Sequence, residues 1–414
     1  MAAPALCLAV VAGLWAWWPA GGGAPGAHGA PVTAGPARPV VGWQVAASGG
    51  RHDEGPGAWG LGDTVVQGRL DGLFAYAAGD GAVLWSVAPP GRKAVCAMSP
   101  GVAQGVGLIG FGERGRPCAT LAAVRVSDGA HLWRRSLTGG GLVAGGLAVG
   151  ASLVLTAERD ALRARSAETG VQRWWRGIAD GCAARALGAD DDRALLVEQC
   201  GGRARLVALD TRTGAQRWVR TLPVRAPGVT AAVVTATPAV LAVAEADSRG
   251  TRAYLGFDAR GRPTATVPLS GPGGELVAPK GVRSGGGAAS PPLVAGELLV
   301  TLAGRHHGDG VPDHVVAHSL TTGRPVWDHR PEGVTTDALA REPDGRIGVL
   351  GSGPGGGLVV LLGTDGREQG RIAPRDPGAT ATLSVRPELI PVTEGHVVVN
   401  HLAMSGEPGV FSLR

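Results

Sequence analysis

The chain of 414 residues is 44% hydrophobic and 18% charged, enough apolar material for a large folded body and too much for a disordered polar one. Its formal charge of +5 comes almost wholly from arginine, because Lys93 and Lys280 are the two lysines, and the arginines are scattered among acids without forming a basic run. Aromatics make up 4% and are mostly tryptophan. That leaves no stacking platform for single-stranded nucleic acid, so nucleic-acid binding is not expected.

In chain order, Met1–Trp18 is apolar and no charge precedes Arg38. This length suits a signal peptide or a membrane anchor, although the usual positive start is missing. Residues 19–37 are rich in Gly, Pro and Ala and read as a flexible tether. From residue 38 onward short apolar runs alternate with turn residues, the pattern of an all-β chain, and no segment shows a helical period. The expected organisation is 1–18 signal or anchor, 19–37 linker and 38–414 a single repeat domain.

One unit recurs along that domain. In LVALDTRTGAQRW, Leu206–Leu209 favour a strand, Asp210–Gly214 form a turn, and Trp218 stands four residues after the glycine in the next strand. The same Gly-to-Trp spacing occurs at Gly81/Trp85, Gly129/Trp133, Gly170/Trp174, Gly214/Trp218 and Gly323/Trp327. Two decayed copies have Gly261 with Ala265, and Gly366 with Gly370. The spacing is roughly 40–50 residues with one interval of about 60, the span of a four-stranded propeller blade. Trp43 lies in an N-terminal strand with no turn glycine ahead of it, and the C-terminal strands stop before any such turn. The two ends are expected to complete one blade, giving an eight-bladed β-propeller, with seven blades as the alternative.

A strand followed by D-x-x-T-G-x-x-x-W resembles the repeat of pyrroloquinoline-quinone (PQQ) quinoproteins and their non-catalytic relatives. The latter include the propeller lipoprotein of the bacterial outer-membrane assembly machine and envelope proteins described as PQQ-binding-like. The resemblance spans Arg38–Arg414. It implies that Trp43, Trp85, Trp133, Trp174, Trp218 and Trp327 dock each blade on the next, and that Gly81, Gly129, Gly170, Gly214, Gly261, Gly323 and Gly366 are turn residues at those contacts.

Setting Cys7 aside, Cys96, Cys118, Cys182 and Cys200 form two pairs at corresponding places in two repeats. Three connectivities are possible, and repeat symmetry favours Cys96–Cys118 and Cys182–Cys200, each joining a first strand to the far part of a second. Each bridge would stabilise by about 3 kcal/mol in the chain-entropy model. Zinc is the rival use, but no C-x-x-C spacing is present. Disulfides imply an oxidising compartment, which agrees with export.

One polar cluster stands out: His306, His307, Asp309, Asp313, His314 and His318 in the longest interval between copies. Imidazole with carboxylate suits zinc, nickel or copper, whereas the plain reading is a solvated loop on the rim. His314 and His318, four residues apart on a strand, are roughly 13 Å apart and cannot share one ion. Asp190–Asp192 reads as a turn, lacking calcium-loop spacing, and 351–357 reads as a glycine-rich loop.

Catalytic quinoproteins of this resemblance use adjacent bonded cysteines, a tryptophan floor, a calcium held by acids and an amide, and an aspartate base. Here no cysteines are adjacent and Asn400 is the single asparagine. The expectation is a non-catalytic, exported, membrane-tethered propeller without cofactor, which acts as an interaction scaffold or sensor ectodomain for an envelope protein. The alternative is an oxidoreductase binding PQQ with calcium in the central channel.

Overall fold

The computed structural model describes residues 41–47, 55–91, 93–138, 140–224, 228–247, 249–271, 274–279, 282, 291–304, 311–353, 356–373, 383 and 387–414. The expected leader and tether, with Cys7, lie outside these residues. Every regular element among the described residues is a β-strand, and the strands form eight antiparallel sheets.

The sheets follow the repeats. From inner to outer strand, blade 1 comprises 58–61, 64–69, 72–77 and 83–87; blade 2 comprises 94–98, 106–112, 120–125 and 131–136; blade 3 comprises 142–150, 153–158, 161–166 and 172–177. Blade 4 comprises 182–189, 193–200, 203–210 and 216–221; blade 5 comprises 230–235, 239–244, 252–257 and 263–268. Blade 7 comprises 338–341, 347–353, 356–362 and 368–372. In blade 8, strands 387–392, 395–400 and 408–413 are completed by Val41–Ala46, in the order that places the N-terminal strand outermost. Val41 pairs with Leu413 and Val45 with Val410, so the ends close the eight-bladed propeller and remove the edges an open ring would leave.

Blade 6 departs from the pattern. Its inner strand is split into Gly274–Leu276 and Leu293–Ala295, both paired with Leu298–Gly304, ahead of His314–Ser319 and Pro325–His329. Ser270–Gly271 adds a short strand beside the first half. The long interval between Gly261 and Gly323 is therefore spent partly on interrupting an inner strand.

Burial explains the sequence pattern within each blade. The middle strands are covered on both faces by neighbouring blades and are mostly apolar: Ala239–Ala244 is apolar and buried throughout, and Leu153–Glu158 is buried throughout although it carries Thr156 and Glu158. The outer strands alternate, as in Gln172–Gly177, because one end of each blade reaches solvent. The core is accordingly not a single mass. Eight apolar clusters lie one at each junction; between blades 4 and 5, for example, Leu195, Val197 and Leu206 meet Leu241, Val243 and Leu255.

The turn chemistry is equally local. Asp210 Oδ1 accepts the N–H groups of Arg212 and Thr213 at 3.1 and 2.9 Å and the Thr213 hydroxyl at 2.9 Å, and Gly214 follows at φ 72°. Asp side chains offer this alternative to the backbone wherever a strand must reverse. Residues 351–357, read from sequence as a loop, are mostly strand ends. Gly353 pairs with Gly356 and Ser352 with Gly357, since glycine tolerates extended backbone when the sheet supplies the partners.

Candidate functional site

The repeat tryptophans all work at junctions. Each indole N–H donates to a carbonyl of the next blade: Trp43 to Ala78, Trp85 to Val126, Trp133 to Ala167, Trp174 to Thr211, Trp218 to Ala259 and Trp327 to Thr364, at 2.7–3.0 Å. The next blade's turn glycine lies against the ring, so that a Cβ on Gly81, Gly129, Gly170, Gly214, Gly261 or Gly366 would sit 2.5–2.7 Å from it. Gly261 and Gly366, in the decayed copies, therefore dock normally. The contact is lost one junction later, where Ala265 faces Gly323 and Gly370 faces blade 8. A seventh tryptophan, Trp59 on the inner strand of blade 1, packs its ring on Gly107 and donates to Ser99 O at 2.9 Å. It lies outside the Gly-to-Trp spacing, which is why the repeat did not mark it.

Cys96 is bonded to Cys118 and Cys182 to Cys200. Cys182 and Cys200 stand opposite each other on the first two strands of blade 4. Cys118 differs from the expectation: it lies past the second strand of blade 2, in the link to the third.

Where Ala265 replaces tryptophan, the turn at Gly323 approaches the backbone of Thr266, and a groove of about 870 Å³ runs beside the outer strand of blade 6. Pro268, Val316 and Val326 line it together with His314, His318 and Arg330. His314 is buried, with Nδ1 on Asp313 Oδ1, and Asp313 Oδ2 accepts from Arg330 at 2.9 Å. His318 is half-buried, its Nδ1 is without a hydrogen-bond partner, and burial pushes its pKa below the ordinary histidine value. A neutral imidazole over an apolar wall can orient a small polar ligand. His306, His307 and Asp309 lie outside the described residues, and among those residues no three His, Cys, Asp or Glu side chains converge to hold a metal.

Further polar groups in the interior were not singled out by motif. Glu342 of blade 7 meets His396 of blade 8 at 2.9 Å, and His401 meets Glu388 at 2.8 Å. Both are carboxylate–imidazole pairs inside or between blades. Glu158 and Glu198 hold the same place on the second strands of blades 3 and 4, fully buried, with Arg163 3.2 Å from the first and Arg205 2.7 Å from the second. Asp190–Asp192 is a turn, as its sequence suggests: Asp190 Oδ1 accepts from Arg193 N, and Asp192 pairs with Arg217 at 2.8 Å.

Residues 118–278 match the family model described as outer membrane protein assembly factor BamB. BamB from Moraxella catarrhalis is 18% identical with a TM-score of 0.50, over 90% of this chain and 97% of that one. Residues 118–278 thus match a PQQ-like repeat family, and the chain shares the fold of PQQ-like propellers. A europium-containing methanol dehydrogenase is 11% identical with a TM-score of 0.53, over 91% of this chain and 93% of that one. Quinohemoprotein alcohol dehydrogenase ADHIIG from Pseudomonas putida HK5 is 12% identical at 0.52, over 91% and 75%. At such identities the likeness is one of fold. No curated protein matches the chain in sequence.

The PQQ-like repeat raises the question of whether its residues could hold calcium and a quinone. Calcium takes six to eight oxygens, commonly including carboxylates. Asn400, the single asparagine, is buried on the second strand of blade 8 and donates to Pro408 O at 2.8 Å. The described inner strands carry two acids, Glu275 and Glu388, and the latter is engaged by His401. This donor set does not fit a calcium-bound quinone.

Proposed function

We propose that this propeller is an exported, membrane-tethered protein that catalyses no reaction and serves as a protein–protein interaction scaffold at the cell envelope. The observation that carries this reading is Trp175. Its neighbour Trp174 is docked on blade 4, but Trp175, on the same outer strand, is 61% exposed. An exposed indole gains nothing for the fold. Trp and Arg dominate binding energy in protein interfaces, where a large aromatic supplies area at low entropic cost. The two disulfides suit an oxidising compartment and the apolar Met1–Trp18 suits export. The likeness to BamB adds a fold-level analogy with an envelope assembly factor. The mismatch between the inner-strand donors and calcium weighs against the quinoprotein alternative.

A photo-crosslinking residue in place of Trp175, in the native cell, tests the proposal. The expected result is a discrete crosslinked partner that disappears when the crosslinker is moved to Val83 on blade 1. Absence of any crosslinked species at 175, with the protein present at normal level, would overturn it.

A further inference from the structure

The charge of this chain is not evenly spread around the ring. Residues 94–221, which are blades 2–4, hold 17 arginines against 11 acids, while the rest of the chain holds 22 basic residues against 23 acids. The excess positive charge therefore belongs to three consecutive blades. Within them it recurs at one position, two residues after the docking tryptophan: Arg135 after Trp133, Arg176 after Trp174 and Arg220 after Trp218. In the other five blades the same place holds Val45, Val87, Val267, His329 and Ile372.

Most of this charge is unspent. Arg217 is taken up by Asp192 and Asp210, both at 2.8 Å. Among the described residues, none of Arg134, Arg135, Arg173, Arg176 and Arg220 lies within ion-pair distance of a carboxylate. Arg220 donates to the carbonyls of Gly261 and Arg260, Arg176 to the Gln216 amide oxygen and Arg135 to the Arg134 carbonyl. Those contacts hold guanidinium groups in place without neutralising them. Between Arg173 and Arg176 stands the exposed Trp175, paired across the sheet with Arg163.

We infer that the outer edge of blades 2–4 docks an acidic, extended segment of a partner protein, with Trp175 as its apolar anchor. The inference rests on the scaffold reading above and names the chemistry of the partner. Guanidinium forks match carboxylates bidentately, which lysine does not do. The outer strand of each of these blades is the last in its sheet, so its free backbone edge can pair an extended segment while the arginines meet that segment's carboxylates. Shape selects a polypeptide over a bilayer. Each blade of an eight-bladed ring turns the surface by about 45°. Three outer strands thus follow a convex arc that a flexible chain can wrap, whereas a flat membrane meets one or two strands.

The test uses the full chain and a fluorescein-labelled dodecapeptide of alternating Glu and Val, with a Lys/Val peptide as control, read by fluorescence anisotropy. Binding of the acidic peptide is expected to weaken about tenfold between low and physiological salt. It should weaken at least about tenfold again in R173E combined with R134E, and by a similar factor in W175S. Both substitutions fall on exposed side chains, and R367E on blade 7 should change nothing. Equal binding of the two peptides, indifference to R173E/R134E, or tighter retention on phosphatidylglycerol vesicles than on the peptide would overturn the inference. If R173E combined with R134E leaves a crosslink from residue 175 intact, the acidic-partner inference falls and the scaffold reading stands. If no crosslink forms at all, the scaffold reading is the one that fails.

Discussion

Trp327 of blade 6 lies flat against Gly366 of blade 7, and its indole N–H donates to Thr364 O at 2.9 Å. Gly366 has φ +80°, and a Cβ there would sit 2.5 Å from the ring. Two costs thus coincide in Gly366→Ala, left-handed strain and a clash with the indole ring. Gly370, four residues on at the tryptophan position, has nothing within 4 Å of such a Cβ. Chemical denaturation should show Gly366→Ala destabilised by about 2–4 kcal/mol. Gly370→Ala should be unchanged or more stable by about 0.5 kcal/mol. Equal losses at both sites would mean that the ring contact is not what fixes the glycine.

The same contact is missing at two junctions. Blade 5 presents Ala265 to the turn at Gly323, and blade 7 presents Gly370 to blade 8, whose outer strand arrives from the N-terminal segment without a hairpin turn. An indole contributes both buried area and a hydrogen bond, so those junctions should open locally more often. Hydrogen exchange of outer strands 263–268 and 368–372 should be about tenfold faster than that of 131–136 and 172–177. All four have a free edge, which makes the comparison fair. Uniform protection around the ring would show that the inner and middle strands alone carry blade docking.

The blade count and the ring closure were legible because a glycine followed at four residues by tryptophan is a rigid local signal that repeats. The residues that the repeat does not mark were not. Trp59 docks blade 1 from its inner strand, where no turn glycine announces it, and the split inner strand of blade 6 leaves only a long interval in sequence. The arginine excess looked scattered along the chain because its regularity is one residue per blade, about 40 residues apart. Folding converts that spacing into a contiguous arc. For the histidine cluster, neighbours in sequence are not neighbours in function. His314 turns to Asp313 while His318 is half-buried without such a partner.

Ligand binding separates the two functional readings. A ligand that binds the native state alone raises the melting temperature in proportion to its occupancy. Because the inner-strand donors do not match calcium, PQQ with calcium should leave the melting temperature of the intact protein unchanged. A saturable, calcium-dependent rise would overturn the scaffold reading and call for dye-linked alcohol oxidation assays.

Acid stability should report on the turn at Asp210. The Arg217 guanidinium 2.8 Å from Asp210 Oδ2, with bonds from the Thr213 hydroxyl and N–H, holds its carboxyl down to about 2. In the unfolded chain the same group titrates near the ordinary aspartate value of 3.8. A carboxylate whose folded pKa is depressed adds stability that is complete above the unfolded value and is lost as pH falls through the folded one. The loss attributable to this turn therefore belongs between about pH 4 and pH 2. Asp128, Asp192, Asp258, Asp344 and Glu368 are shifted in the same direction by backbone N–H groups or arginine partners and steepen the same limb. Asp337 opposes them, because burial raises its pKa and its charged form is disfavoured in the fold. Urea denaturation across this range should show a shallower acid slope for Asp210→Asn than for the parent, with the difference vanishing below about pH 2. Parallel slopes would mean that Arg217 is held by Asp192 alone and that Asp210 serves only to shape the turn.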